Sequence, residues 1–459
     1  MSIVEKYGKF IESTLIDHPR FAGRLLRIGL AYEKLRLYAK SGRIKAGKDE
    51  TVPFALNYLN RLSISSVASA LSKPGNTVWV NLFAPNEILS AFGLRPLSIE
   101  CFSAFMGGFK IEDFFLRHAE NLGMSDTLCS YHKCFIGAAD TEILRPPLLS
   151  ITTTLACDGN VNTFRFLEQR LGVKSFVIDV PYEYTKESLG YVTEQLHSLI
   201  SLLEKLTGKR FDEAALTSAV IRENESRALQ EEALALGASK KYPTTLTLHM
   251  FKLFVTHILS GSEEALYYYR LLVDDLRKYP DTDAAKIMWI HLMPYYQKTL
   301  KQYLGGEGKY QIICSDFDFD YGSGIRLDPE NPVEAIAEKL IRNIYNGPYS
   351  RKNEAAQKAA KMFDIDGVIH FCHWGCKQSA GGAFEMKRVF DEAGIPFLVL
   401  DGDGIDKRND SPEQIRTRAE AFFEMLEERR TLEERRILDE KQKLEDESIG
   451  RIDRKAAGK

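Results

Sequence analysis

Several cysteines of this sequence fall where predicted strands run into loops or helices. Cys157 follows the apolar run ITTTLA at 151–156 and precedes a predicted helix, and Cys376 comes five residues after the predicted strand 367–371. Cys314 closes the run 310–313 in the same manner. Backbone N–H groups at helix N-termini point at such loops and lower a thiol pKa. These positions therefore favour the thiolate that a metal or a nucleophilic reaction needs.

The cysteine spacing limits the chemistry further. Cys129 and Cys134 form a C-x4-C pair, and Cys372 and Cys376 form a C-x3-C pair. The absence of any C-x2-C pair and the long sequence separations disfavour zinc. Iron–sulfur clusters are held by cysteine thiolates, and distant loops can supply them.

Two other interpretations of the thiols stay open. Free cysteines are usually small buried side chains without chemistry. A thiol nucleophile could use His132 or His373 as its base, but the sequence identifies no orienting carboxylate for either histidine.

The elements that must position these thiols alternate between short apolar strands and helices, which indicates parallel sheets wrapped by helices. Residues 186–278 are instead long, charged and helical. We predict strands at 77–83, 148–156, 175–180, 286–290, 310–314, 367–371 and 397–400, and helices that begin at Tyr295, Val333, Ser379 and Pro412. The α/β chain then divides into an N-terminal helical region (1–72), a first lobe (73–185), a helical linking segment (186–280), a second lobe (281–426) and a charged helical tail (427–459).

Composition sets the class of protein. The chain has 459 residues, is 44% hydrophobic and 27% charged, and carries a net charge of −3. This balance is typical of a globular protein and gives no reason to expect nucleic acid or an anionic membrane as a partner. No run approaches 18 apolar residues, and the first residues lack the apolar core of a signal peptide. We therefore expect a cytoplasmic protein with reduced cysteines.

Five motifs resemble, in order, those of one family. They are PNEILSAFGLRP at 85–96, LCSY at 128–131, ACDG at 156–159, HWGCKQS at 373–379, and GIPFLVLDGD at 394–403 followed by Arg416 and Arg418. At these residues the chain resembles the iron–sulfur subunits of the 2-hydroxyacyl-CoA dehydratase and benzoyl-CoA reductase family, among them the D-component of 2-hydroxyglutaryl-CoA dehydratase. The resemblance implies two doubly wound parallel-sheet lobes with a 4Fe-4S cluster between them. Its implied ligands are Cys129, Cys157 and Cys376, and one iron stays open to a substrate oxygen.

The resemblance also implies a reaction and its partners. Family members dehydrate (R)-2-hydroxyacyl-CoA by radical chemistry after one electron arrives from a separate ATP-hydrolysing iron–sulfur activator. The chain has no G-x-x-x-x-G-K-[ST] nucleotide motif of its own. This fits ATP hydrolysis by a separate activator. The implied assembly is a homodimer or a heterodimer with a paralogous subunit, with acyl-CoA as substrate.

Glu100 corresponds to a family glutamate near the open iron, which implies a catalytic role. In substrate-binding subunits of the family a serine stands eighteen residues before that glutamate and touches the departing hydroxyl. Here that position is Leu82, which has no hydrogen-bonding side chain. This difference motivates an alternative, a non-catalytic subunit that relays electrons to a catalytic paralogue.

The remaining thiols motivate a second alternative. One branch of the family resembles a double-cubane protein, in which six cysteines hold an 8Fe cluster that reduces small molecules with the same kind of activator. Cys134, Cys314 and Cys372 would complete such a set of six, and Cys101 would be left over.

Overall fold

The computed structural model describes residues 3–41, 53–305, 308–321 and 324–457. Residues 1–2 and 42–52 of the predicted N-terminal region, 306–307 and 322–323 of the predicted second lobe, and 458–459 of the predicted tail lie outside these described residues. All seven cysteines lie inside them.

Within the described residues, eight strands form two separate sheets with the same topology. The first sheet contains β1 (Thr77–Val80), β2 (Arg95–Ser98), β3 (Leu149–Thr153) and β4 (Ser175–Ile178), and the second contains β5 (Ala285–Ile290), β6 (Tyr310–Ser315), β7 (Gly367–His373) and β8 (Phe397–Gly402). The orders are β2-β1-β3-β4 and β6-β5-β7-β8, with every pairing parallel. In each sheet the chain reverses its winding between the first and third strands, and ligands bind outside the carboxyl ends of strands at such a switch point.

Helices cover these sheets, and this confirms the predicted two-lobed α/β class. The N-terminal helices are α1 (Ile3–Leu15), α2 (Pro19–Ser41) and α3 (Phe54–Ser72), and those of the first lobe are α4 (Asn86–Ala91), α5 (Ile99–Phe109), α6 (Glu112–Asn121), α7 (Ser130–Asp140) and α8 (Asp158–Leu171). The linking helices are α9 (Lys186–Thr207), α10 (Glu213–Gly237), α11 (Leu246–Leu253) and α12 (Glu263–Leu276). The second lobe carries α13 (Lys298–Leu304), α14 (Pro332–Arg342), α15 (Tyr349–Phe363), α16 (Lys377–Ala380), α17 (Ala383–Glu392) and α18 (Pro412–Ala457).

The burial of the strands explains their sequences. Every residue of β1, β3 and β7 is buried, because helices lie on both faces of each sheet. Strands in this position read as continuous apolar and β-branched runs, and this is the signal that made them predictable. Within the described ranges, no helix combines the length and the apolar composition needed to cross a membrane.

The linking helices fasten the two lobes together. Helix α10 packs against α4 of the first lobe and α14 of the second. At this junction Lys339 of α14 donates to Glu87 of α4 and, over 2.9 Å, to Glu223 of α10, and all three side chains are buried. Arg227 also pairs with Glu223, at 2.8 Å. A buried ion network therefore joins the first lobe, the linking segment and the second lobe.

The structure corrects some of the predicted elements. Strand β2 was not predicted, because Pro96 interrupts its apolar pattern; proline is tolerated there since β2 is an edge strand. Helix α13 begins at Lys298 rather than Tyr295, because Pro294 and Tyr295 form a turn first. Helix α16 begins at Lys377 rather than Ser379. Helix α15, rich in alanine and lysine, was not predicted either.

Candidate functional site

Three of the seven cysteines stand at the N-terminus of a helix. Cys129 is the N-cap residue of α7, Cys157 of α8 and Cys376 of α16. Cys157 follows β3 and Cys376 follows β7, so both lie at the switch point of their lobe. These three thiols keep partial solvent exposure. The other four cysteines are buried: Cys101, Cys134, Cys314 and Cys372.

Cys129, Cys157 and Cys376, which are partly exposed as residues, lie close enough to act on one another's pKa. Burial raises the pKa of Cys129 well above its ordinary value, and the negative charges of Cys376 and Cys157 raise it further. Burial and Cys376 likewise raise the pKa of Cys157 to about 12, although the backbone N–H of Asn160 lowers it. Burial raises the pKa of Cys376 as well, against the backbone N–H of Ser379. The thiols are thus protonated in the metal-free protein, which corrects the expectation that helix N-termini alone would favour thiolates, because burial outweighs them. Metal binding there must release protons.

A glycine brings the two lobes together at the thiols. Gly375 has φ 76°, and a Cβ atom placed on it would lie 2.6 Å from the carbonyl oxygen of Thr127 and 2.8 Å from the amide nitrogen of Cys129. The loop that carries Cys376 therefore lies directly on the backbone that carries Cys129. Only glycine satisfies both the left-handed φ and this close approach.

Each of the three thiols faces Nε2 of a different buried histidine. The Sγ–Nε2 distances are 3.2 Å for Cys129 and His373, 3.6 Å for Cys157 and His132, and 3.4 Å for Cys376 and His291. Burial lowers the pKa of His373, lowers that of His291 well below its ordinary value and lowers that of His132 to about 4. The site is therefore a set of three thiols surrounded by three neutral imidazoles.

The loop after β8 holds His373 in place. Gly404 N–H donates to His373 Nδ1 over 3.0 Å, and Asp403 accepts from Ile405 N–H and Asp406 N–H. Asp403 Oδ1 also accepts from Ser130 Oγ at 2.5 Å, which ties this loop to the residue after Cys129. The sequence identified no orienting carboxylate for His373, but Asp403 Oδ1 lies 3.7 Å from His373 Nδ1. The carboxylate orients the imidazole through the loop it shapes.

Backbone strain is present at two residues of the site. Ala156, directly before Cys157, has φ 66°, and His291, which faces Cys376, has φ 76°. Side chains other than glycine adopt this region at a cost, and such residues cluster at functional sites.

The remaining cysteines occupy other environments. Cys134 lies inside α7, and Cys314 lies within β6, as the predicted strand 310–314 had it. Cys372 lies within β7, whereas the predicted strand 367–371 placed it in the loop that follows. The charges that act most strongly on the pKa of Cys314 come from Asp318, Lys252 and Asp316, not from other thiols. Cys372 is closer to the site, since Cys376 contributes to the rise of its pKa to about 12.

Glu100 lies on the Cys157 side of the site, and Leu82 contacts it. Glu100 Oε2 accepts from Ser98 Oγ over 2.6 Å, and Oε1 accepts from Leu82 N–H over 3.4 Å. Burial raises the pKa of Glu100, and its charge in turn contributes to the raised pKa of Cys157. A carboxyl group with a raised pKa close to a cluster of thiols is suited to hold and release a proton.

His257 is a neighbour of Glu100 that the sequence did not reveal. It lies on the π-helical turn Phe254–Ile258, a type of turn that is frequent at functional sites, and its charge acts on the pKa of Glu100. Its Nε2 is 2.9 Å from Asp320 Oδ2 and its Nδ1 is 2.6 Å from Thr256 Oγ1. A lone histidine in a helical run carries no specific signal, and its partners come from distant segments.

A cavity of about 350 Å³ lies beside this histidine, between α10, α15 and the chain after β6. Both hydrogen-bond partners of His257, Thr256 and Asp320, line it. Phe317 also lines the cavity, and its ring is 6.3 Å from that of His291. The basic residues of the wall are Arg227, Arg342, Arg351 and Lys358. The cavity is large enough for part of a small-molecule ligand.

In the part of the chain that the structure describes, no three His, Cys, Asp or Glu side chains are grouped closely enough to hold one metal ion. The site thus offers no ready position for a mononuclear metal such as zinc. In an iron–sulfur cluster each thiolate binds a different iron, so the cysteines that hold a cluster stand farther apart than the ligands of a single metal ion.

Comparison with known proteins finds relatives that match most of the chain. The (R)-phenyllactyl-CoA dehydratase alpha subunit of Clostridium sporogenes is 21% identical over 413 residues, which cover 84% of this chain and 98% of that protein. The beta subunit of the same-named enzyme is 23% identical over 246 residues, covering 51% of this chain and 63% of that protein. A benzoyl-CoA reductase subunit of Thauera aromatica is 21% identical over 388 residues, covering 77% of this chain and 89% of that protein.

These relatives are subunits of dehydratases and a reductase that act on CoA thioesters, according to their names. The family described as "2-hydroxyglutaryl-CoA dehydratase, D-component" matches residues 81–426, a stretch that includes all seven cysteines and every strand except β1. The chain belongs to this family.

Proposed function

We propose that this chain is the iron–sulfur subunit of a 2-hydroxyacyl-CoA dehydratase-type enzyme and holds a 4Fe-4S cluster on Cys129, Cys157 and Cys376. The observation that carries the proposal is the convergence of these three partly exposed thiols at three helix N-termini. Helix N-termini stabilise negative charge, so they offset the charge of thiolates and cluster sulfides. Membership in the family adds the reaction type.

The donor set suits this group. Three thiolates leave the fourth corner of a cube without a protein ligand, and an open iron supplies Lewis-acid chemistry at a substrate oxygen. Around it, burial and the neutral imidazoles limit the access of water. Glu100, with its raised pKa, is the residue we assign to proton transfer at the substrate.

The proposed substrate is an acyl-CoA, and the cavity beside His257 supports this. Its aromatic wall offers an apolar surface, while the guanidinium groups of Arg342 and Arg351 are suited to phosphate. The proposed partners are an ATP-hydrolysing activator and a second subunit, identical or paralogous. The named relatives are alpha and beta subunits of one type of enzyme, which favours a paralogous second subunit.

One observation favours a second candidate, a subunit that relays electrons without binding substrate. The hydrogen bond from Leu82 to Glu100 comes from the backbone N–H, so position 82 lacks the side-chain hydroxyl that substrate-binding members of the family are expected to present there. A third candidate is a reductase with a double-cubane cluster. The positions of Cys134 inside α7 and Cys314 inside β6 weigh against it, because both residues are buried and no other thiol is among the groups that act on the pKa of either one.

Iron and acid-labile sulfide analysis of protein purified without oxygen tests the cluster. We expect about four irons per chain for the single cube; about eight would favour the double cubane. Cys376→Ser should lose most of the iron. The matched control is Cys314→Ser, which should keep the iron of the wild type.

Equal iron in the wild type and in Cys376→Ser would overturn the proposed site. Turnover is tested separately, by mixing iron-loaded protein with the activator, ATP and a 2-hydroxyacyl-CoA. Dehydration by this chain alone with the activator supports the dehydratase. Dehydration only after addition of a second subunit supports the relay.

A further inference from the structure

The hydrogen bonds of His373 determine which of its nitrogens carries the proton. Gly404 N–H lies 3.0 Å from His373 Nδ1, and a backbone N–H can only donate. Nδ1 must therefore be the unprotonated nitrogen of the ring. An imidazole ring with one unprotonated nitrogen carries its single proton on the other nitrogen. The proton is then on Nε2, the atom that faces Cys129 Sγ at 3.2 Å.

The other two imidazoles do not have this constraint. His132 Nδ1 lies 2.9 Å from Thr163 Oγ1, and a hydroxyl can donate or accept. His291 Nδ1 has no hydrogen-bond partner among the described residues. His373 is also central in the site, since its ring is 6.1 Å from that of His291 and 5.1 Å from that of Tyr131. Of these three imidazoles, His373 is therefore the one whose hydrogen bonds fix the proton on the nitrogen that faces a thiol.

We propose that His373 is a positioning residue that donates an N–H···S hydrogen bond to the Cys129 sulfur of the cluster and raises the reduction potential of that cluster. The inference rests on the proposed function, since it requires a cluster on Cys129. Hydrogen bonds to cluster sulfurs are one of the means by which a protein sets the potential. The positive end of the N–H dipole stabilises the extra electron of the reduced cluster.

The donor comes from the opposite lobe to the thiol it acts on. Cys129 caps α7 of the first lobe, while His373 ends β7 and Gly404 follows β8 of the second. The Ser130–Asp403 hydrogen bond fixes the same two segments against each other. The distance between donor and sulfur is therefore set by how the lobes meet.

An EPR-monitored redox titration of iron-loaded wild type, His373→Leu and His373→Gln tests the inference. We expect His373→Leu to retain iron but to be harder to reduce. At the wild-type midpoint its ratio of reduced to oxidised cluster should fall about tenfold, a shift of about 59 mV for a one-electron couple. His373→Gln, whose side-chain amide can donate, should recover part of the shift.

His370→Leu is the matched control. His370 is buried in the same strand, but its Nε2 contacts the carbonyl oxygen of Ser379 at 2.9 Å rather than a thiol. Its midpoint should equal that of the wild type. If His373→Leu binds no iron, His373→Gln carries the test through pulsed EPR on 15N-histidine-labelled protein. A coupling from one histidine nitrogen should be present in the wild type and lost in His373→Gln.

The outcomes separate the two proposals. An iron-loaded His373→Leu with the wild-type midpoint would overturn this inference and leave the proposed function standing, as would an unchanged nitrogen coupling in His373→Gln. A wild-type protein that binds no iron under anaerobic conditions would overturn the proposed function first.

Discussion

The backbone N–H of Leu82 donates to Oε1 of Glu100 over 3.4 Å, so two residues eighteen positions apart meet beside the thiol site. Leu82 follows β1, and Glu100 lies in the first turn of α5, directly after β2. The Leu82 side chain is only 3% exposed. A residue with a buried apolar side chain therefore binds the carboxylate through its backbone, at the position where the resemblance implies a serine.

Leu82→Ser should restore a hydroxyl at this position. Removing buried methyl groups lowers the free energy of unfolding by about 2–4 kcal/mol, but a hydrogen bond to Glu100 should return about 0.5–1.5 kcal/mol of it. The control is Leu97→Ser, since Leu97 is equally buried in β2 and has no such partner. Urea unfolding should show the smaller loss for Leu82→Ser. Equal losses would mean that the hydroxyl does not reach Glu100.

Gly375→Ala should loosen the site. A methyl group there cannot fit against the backbone of Thr127 and Cys129, so the loop with Cys376 must move away. Iron content after anaerobic loading should fall to a small fraction of the wild type. Gly394→Ala is the control, because Gly394 has a similar φ of 71° and nothing within 4 Å of the added carbon. That variant should bind iron normally; iron loss in both would assign the effect to strain alone.

Glu120→Gln should weaken the protein in a pH-dependent way. Arg408 donates to both carboxylate oxygens of Glu120, at 2.7 and 3.0 Å, and Lys133 donates at 2.9 Å. Hydrogen bonds from Arg408 lower the pKa of Glu120 from 4.5 to about 2, against burial, with Lys133 adding to the effect. A carboxylate whose pKa is lower in the folded state stabilises the fold at pH values above its unfolded-state pKa. This stabilisation is lost as the pH falls toward 2.

Urea unfolding of wild type and Glu120→Gln across this range measures the effect. The difference in unfolding free energy should be full at pH 6 to 7, shrink below about pH 4.5 and approach zero near pH 2. Asp391→Asn, in the exposed pair with Lys387, should show little difference at any pH. A difference that is constant with pH would show that the charge of Glu120 is not involved.

Lys339→Met should destabilise the junction of the lobes. It leaves Glu87 and Glu223 buried without their cation, which costs about 3–5 kcal/mol of unfolding free energy. Arg342→Met, one turn later on α14, is the control. Arg342 forms a half-exposed pair with Glu338 and should cost about 1 kcal/mol or less. Chemical denaturation at neutral pH compares them, and equal costs would contradict the role of burial.

Much of the fold could be predicted because its strands are short apolar runs buried on both faces. The runs at 148–156, 310–314 and 367–371 each match an observed strand to within a few residues at either end. Strand β2 failed this criterion, since an edge strand with a proline has neither the composition nor the alternation of a typical strand. The predicted domain boundaries stay predictions.

The site could be predicted only in part. Strand ends and family motifs indicated Cys129, Cys157 and Cys376, and the structure brings these three together. The sequence named His132 and His373 only as possible bases and could not pair them with particular cysteines, since Cys129 and His373 are 244 residues apart and meet across the two lobes. His291 was not identified, because it lies 85 residues from Cys376, after another strand of the second lobe. The sequence related Leu82 to Glu100 only through their spacing of eighteen residues. The hydrogen bond between them is a tertiary contact that the spacing did not predict.

The contact between Gly375 and the backbone of Cys129 has a consequence for the order of events during synthesis. Two of the three thiols emerge from the ribosome with the first lobe, but the third, and the loop that holds His373, follow more than 200 residues later along the printed sequence. A nascent first lobe therefore has only two of the proposed ligands and no imidazole against Cys129. Under the proposed ligand set, the three-thiol site is therefore complete only after the second lobe has been synthesised and has folded against the first.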